Sequence, residues 1–299
     1  MRRFLVRKLL PRLAAGTMVV AVAALCLADP DTREVHATNT GSASATTFTP
    51  VPTYDHIVVL LEENKSLPEI VGNPLAPYLN SLAVGGASMT QSFGVAHPSE
   101  PNYLALFSGS THGVTSDACP VSYSGENLAH QLSTAGKTFA AYSESLPAVG
   151  YTGCKSGHYR RKIEPWMDFS NVPAAVSRPL TEWPTDFTDL PDVAFVVPNE
   201  RHDMHSGTIS VGDTWLASHI GPYAKWATTH NSLLVVTFDE DDHSAANHIA
   251  TFLYGAHITP GNYAQHITQF SMLATLQAST GLTCTEQSCG ARPIRGIWH

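Results

Sequence analysis

Four short polar clusters carry the residue types that chemistry needs: Glu63-Asn64, Ser99 with Asn102, Asp203 with His205, and Asp239-Glu240-Asp241-Asp242-His243. Ser99 stands in HPSEPNYLALFSG, where Glu100-Pro101 reads as the first turn of a helix. Proline is tolerated there, and a carboxylate suits the positive end. The Ser99 hydroxyl then sits at a helix N-terminus, whose free backbone N–H groups suit an anion such as phosphate. The same residue could equally be a plain N-cap serine. The acidic clusters would repel one another unless a cation or protons hold them. A hard divalent metal on the oxygens of Glu63, Asn64, Asp239 and Glu240 is the economical explanation. Such an ion would lower the pKa of the Ser99 hydroxyl and polarise a phosphoryl oxygen. Asp203 and His205 could bind a second metal, or His205 could be the acid that protonates a leaving alcohol. Each cluster also has a plain alternative, since acidic loops are commonly just solvated and Glu62-Glu63-Asn64 could cap a helix.

The elements that must position these residues alternate. HIVVLL (56–61), KTFAAYS, VAFVVP (193–198), SLLVVTF (232–238) and TFLYG read as strands. Between them, PYLNSLAVGG (77–86), residues 127–135, TWLASHIGPYAKWATTH and QFSMLATLQASTGL read as helices, the third kinked by its proline. The strands are apolar on both faces, which predicts an α/β/α sandwich around a mostly parallel sheet. Ligands in such sheets bind beyond the carboxyl ends of the strands. Glu63-Asn64, Asp203 with His205, and Asp239-Glu240 all follow strand ends, so they converge on one rim together with Ser99. There is no glycine-rich nucleotide fingerprint.

The 299 residues, 43% hydrophobic and 14% charged, suffice for a large α/β domain. A net charge of −8 argues against a general binder of nucleic acid or anionic membranes. The fifteen histidines fit metal binding, acid–base chemistry or a low-pH habitat. The basic stretch MRRFLVRKLLPR and the apolar run behind it read as a secretory signal peptide over 1–37, cleaved near Ala28 or Ala37, too short to leave a membrane span. Residues 38–53, rich in Thr, Ser, Ala and Pro, read as a flexible linker before a catalytic domain at 54–299. Cys119, Cys154, Cys284 and Cys289 then remain, an even set that suggests two disulfides in an exported chain. Three pairings are possible. Cys284–Cys289 looks like a local clip, which leaves Cys119–Cys154.

HIVVLLEENKS, HPSEPNYLALFSGSTHGVT, PNERHDMHSG and LLVVTFDEDDHSAANHIATFLYG together resemble the bacterial phosphoesterase family of acid phosphatases and phospholipases C. The resemblance spans roughly residues 53 to 275 and implies an alkaline-phosphatase-like fold. It implies a secreted phosphatase acting on phosphorylated small molecules or phospholipid head groups through a phosphoserine. It places metal ligands at Glu63, Asn64, Asp239 and Glu240, the nucleophile at Ser99, and a phosphate-contacting amide at Asn102. Its DMH element falls on Asp203 and His205. RRKIEPW resembles the family's basic stretch and implies phosphate contacts from Arg161 and Lys162. A phospholipase C or other phosphodiesterase on the same site is one alternative, and a non-catalytic secreted binding protein on an enzyme-like scaffold is the other.

Overall fold

The computed structural model describes residues 48–299. The signal peptide read over 1–37 and the first part of the linker lie outside them. Residues 48–53 have no regular structure, but Val51 packs on the core and the Arg295 guanidinium lies over the Phe48 ring.

Eight strands form the central sheet: β1 (His56–Glu62), β2 (Ala87–Met89), β3 (Phe139–Ser143), β4 (Ser177–Pro179), β5 (Val193–Val197), β6 (Ser232–Phe238), β7 (Thr251–Gly255) and β8 (Gly261–Tyr263). Their order is β8-β2-β7-β6-β1-β5-β3-β4. β1 lies at the centre, parallel to both β5 and β6, with Val58 opposite Ala194 on one side and Leu234 on the other. Only β7 runs against the rest, antiparallel to β6 and β2. The sheet is therefore mostly parallel, as the doubly apolar strands predict.

The period of two in β1 divides the core. Ile57, Val59 and Leu61 face one layer, built on α2 (Glu100–Ser108), α3 (Leu128–Thr134) and α6 (Gln269–Thr280). Val58 and Leu60 face the other, built on α1 (Pro77–Gly85), α4 (Ile209–His219) and α5 (Gly221–Ala227). The predicted proline kink is a break at Ile220 that separates α4 from α5. Each fully buried aliphatic side chain contributes roughly 1.5–3 kcal/mol relative to exposure.

All nine residues of α2 are buried, so this helix is held on every side. It ends at Gly109, whose φ of 82° and close approach to Thr285 leave no room for a side chain: a Cβ there would lie 2.5 Å from the Thr285 carbonyl oxygen. The segment that crowds it is the C-terminal clip closed by Cys284–Cys289. Thr285 Oγ1 donates to the Ser108 carbonyl at 3.0 Å, and the Gln287 N–H donates to the Gly109 carbonyl at 3.0 Å. The second disulfide joins Cys119 to Cys154, so both expected pairings form.

Candidate active site

β1, β5 and β6 end on one rim, and the loops beyond them bring the four polar clusters together. After β1, Glu63 is buried beside the first layer, where its Oε1 accepts the Tyr103 hydroxyl at 2.8 Å. Tyr103 lies one helical turn after Ser99 on α2, so the two side chains share a face. Asn64 adopts a φ of 54°, in the left-handed region that asparagine tolerates better than most residues. That turn lets its N–H donate to Asp239 Oδ1 at 3.1 Å and its Nδ2 donate to Glu240 Oε1 at 2.9 Å. Beyond β5, Met204 holds a φ of 73° and brings the His205 N–H to Asp203 Oδ1 at 2.8 Å.

Ser99 stands at the start of α2 but does not cap it. Its hydroxyl makes no bond to the first turn and instead donates to Glu240 Oε1 at 2.9 Å. Lys162 Nζ donates to Ser99 Oγ at 3.2 Å and also lies 3.4 Å from Glu63 Oε1. The plain N-cap alternative is thus set aside by geometry. The expected backbone cradle for an anion is absent as well. The Glu100 N–H donates to Asp117 Oδ1, Pro101 has none, and the Asn102 N–H returns to the Ser99 carbonyl. In place of peptide dipoles, the serine oxygen has an ammonium beside it.

Two further expected site residues are engaged by local groups. The Asn102 Oδ1 accepts the Val95 and Ala96 N–H groups, and its Nδ2 donates to the Ala96 carbonyl, so the amide shapes the turn before Ser99. Arg161 is buried, with its guanidinium spent on the Thr152 and Met167 carbonyls and on Asp168 at 2.9 Å. Of the adjacent basic pair, only Lys162 reaches the site. His248 is structural too, bonding the Thr90 carbonyl at 3.0 Å and stacking on Phe93.

Among the candidate residues, four buried oxygens are left without any hydrogen-bond partner, Glu63 Oε2, Asn64 Oδ1, Asp203 Oδ2 and Asp239 Oδ2, and so are both oxygens of neighbouring Glu62 and of Glu100. An orphaned buried acceptor costs free energy. Unpartnered hard oxygens of this kind suit a divalent cation, and the acidic residues among them lie outside the one group of ligand atoms found within 4.8 Å of one another among the described residues. Without a cation, burial and then the Glu63 charge push the Asp203 and Asp239 carboxyls well above their ordinary values. Burial alone would lower the Lys162 ammonium, but Glu63, Asp117 and Asp239 raise it above its usual range.

Sequence reasoning passed over His97, Tyr103 and Asp117, and gave His243 no role of its own within its acidic cluster. His97 Nδ1 meets Glu240 Oε2, and with His243 these three side chains place ligand atoms within 4.8 Å of one another. His97 belongs to the same HPSEPN stretch as Ser99, which was the signal available. Half-exposed His205 stands at the rim, its Nε2 3.8 Å from Glu63 Oε2.

The fold is similar to that of solved structures, among them one described as a protein of the alkaline phosphatase superfamily. That protein, from Vibrio parahaemolyticus, superposes with a TM-score of 0.56 at 14% identity, covering 82% of this chain and 72% of that one. The lipoteichoic acid synthase LtaP from Listeria monocytogenes gives 0.53 at 10% identity, covering 80% and 75%. More narrowly, residues 73–283 match the model of the Phosphoesterase family, and the chain belongs to that family, a phosphoric ester hydrolase by class. It is 50% identical over 251 residues to a phosphatidylinositol-3-phosphatase of Mycobacterium tuberculosis, covering 83% of this chain and 84% of that one. It is 29% identical over 318 residues to a phosphate-repressible acid phosphatase of Penicillium chrysogenum, covering 95% and 76%.

Proposed function

We propose that this protein is an exported phosphomonoesterase that transfers the phosphoryl group of its substrate to Ser99 and then to water. The observation that carries this is the setting of Ser99 Oγ, 2.9 Å from Glu240 Oε1 and 3.2 Å from Lys162 Nζ, beside the orphaned oxygens. Glu63, Asn64, Asp203, Asp239 and Glu240 would hold a divalent ion, which when bound supplies positive charge for the phosphoryl oxygens and for the serine oxygen.

The chain's own residues do the rest. Asn64 and Glu240 orient the hydroxyl, and the Lys162 ammonium favours its deprotonated form and offers charge to the incoming phosphate. The hydroxyl proton passes to Glu240 Oε1 as the oxygen attacks phosphorus, the ester bond to the alcohol breaks, and His205 at the rim gives the leaving oxygen its proton. Water then attacks phosphorus, giving a proton back to His205, while the Ser99–phosphorus bond breaks and Ser99 recovers its proton from Glu240, leaving inorganic phosphate. The relative named a phosphatidylinositol-3-phosphatase supports a phosphoinositide as substrate. The N-terminal basic and apolar run and the two disulfides support export.

The purified protein should release phosphate from p-nitrophenyl phosphate and phosphatidylinositol 3-phosphate and leave phosphatidylcholine intact. Acid quenching during turnover should trap a phosphate on the Ser99 peptide by mass spectrometry. Release of phosphocholine from phosphatidylcholine would instead make the protein a phospholipase C.

A further inference from the structure

Asp117 belongs to none of the sequence clusters and lies in the irregular loop that follows α2. Its carboxylate has two partners. Oδ1 accepts the N–H of Glu100, the first residue of the helix that carries Ser99, at 3.0 Å. Oδ2 faces Lys162 Nζ at 3.3 Å, and that nitrogen is the one 3.2 Å from Ser99 Oγ. One carboxylate thus touches both the start of the nucleophile helix and the ammonium beside the nucleophile.

The segments that bring Asp117 and Lys162 together are joined covalently. Cys119, two residues after Asp117, is bonded to Cys154, and the Cys154 carbonyl accepts the N–H of Arg161, the residue before Lys162, at 3.0 Å. Asp117 is a third exposed, so the ion pair itself adds little stability. Its effect is on geometry. A lysine reaches its target on a flexible four-carbon stem and loses rotamer freedom when fixed. Its other two partners, Ser99 and Glu63, are the groups that change partners when substrate and cation bind, whereas Asp117 lies outside the cation shell.

We propose that Asp117 is a positioning residue, which holds the Lys162 ammonium against Ser99 Oγ with one oxygen and anchors the start of the serine's helix with the other. This rests on the phosphatase role given to Lys162 above.

The test uses the full mature protein and p-nitrophenyl phosphate. Asp117→Asn keeps an acceptor for the Glu100 N–H and so guards against misfolding, while Asp117→Ala removes both contacts. Each should lower kcat about ten- to a hundredfold, with KM moving much less. Asp117→Glu should recover part of the loss. In a Lys162→Ala background Asp117→Asn should cost less than about twofold, since the partner is already gone, while Asp117→Ala keeps only the smaller loss that comes from the missing Glu100 anchor. A second readout needs no activity. Trace acetylation with peptide mapping should show Lys162 reacting several-fold faster in Asp117→Asn, with Lys65 and Lys225 unchanged. Equal losses with and without Lys162, or unaltered acetylation of Lys162, would overturn the proposal. Faster acetylation in a protein that hydrolyses no phosphomonoester would uphold the positioning and fail only the phosphatase reading.

Discussion

The Ser99 hydroxyl and the Glu240 carboxylate meet at 2.9 Å although 141 positions separate them in the chain. The contact joins the start of α2 to the loop after β6, and Asn64, after β1, donates to the same Glu240 oxygen. Three chain segments thus agree on one point, and the consequences of disturbing that point are specific.

Ser99→Ala should fold with an unchanged melting temperature and lose phosphomonoester turnover by at least about a thousandfold, because the covalent route is gone. Near-normal turnover in a folded Ser99→Ala protein would falsify the nucleophile assignment.

Chelation should remove activity and also lower the melting temperature. The orphaned oxygens of Glu63, Asn64, Asp203 and Asp239 regain no partner when the ion leaves, and an ion that binds only the folded state stabilises it in proportion to RT ln(1 + [L]/Kd). Scanning calorimetry with and without chelator, beside elemental analysis, reads both effects. A melting temperature indifferent to chelator would count against the ion.

Arg161 and Lys162 should separate cleanly. Arg161→Ala strands Asp168 in the interior and should cost about 3–5 kcal/mol of stability. Lys162→Ala should leave denaturant unfolding nearly unchanged and depress kcat/KM instead. Denaturation and kinetics on the same two variants decide it, and the reverse pattern would exchange their roles.

Acidic conditions should favour the fold. Burial raises Glu164 from an ordinary 4.5 to about 7 and Asp168 from 3.8 to about 6. Between those limits the folded chain keeps protons that the unfolded chain has lost, so this stabilisation is full below about pH 4 and is lost as pH rises through 6 to 7. For Glu164 alone the swing is roughly 3 kcal/mol. Unfolding free energies at pH 5 and pH 8 should therefore favour pH 5, and Glu164→Gln should flatten the difference. A steeper gain toward pH 8 would contradict the assignment.

His205→Ala should discriminate between leaving groups. An aryl phosphate departs with little help, whereas an inositol or alkyl phosphate needs a proton as the bond breaks. The variant should lose more on the second kind. Equal losses accompanied by metal depletion would make His205 a ligand instead.

The parallel sheet was legible because β1, β5 and β6 are apolar on both faces, and Glu63, Asn64, Asp203, Asp239 and Glu240 were legible because they follow those strands. Ser99 announced itself through the proline behind it. What the sequence hid was direction. Asn102 and Arg161 have the right chemistry for phosphate, yet local backbone groups claim their side chains, and no spacing rule reveals where a side chain turns. Asp117 was hidden for the opposite reason, because its partners, Glu100 and Lys162, are brought to it by an irregular loop and a cross-link. The reversed direction of β7 was equally invisible, since a short apolar strand reads the same either way.

Both ends of α2 are gripped by loops that a disulfide closes: the Asp117 loop at the start and the clip of residues 285–289 at the end. The two cross-links thus brace the helix that begins behind Ser99. A freshly made chain in a reducing compartment has its chemical groups but neither bracket, so it would be a poor hydrolase among the phosphorylated metabolites of the cell that makes it. Competence would arrive with closure of the two disulfides. Activity followed during mild thiol reduction of the folded protein, and again on reoxidation, would trace that latency directly.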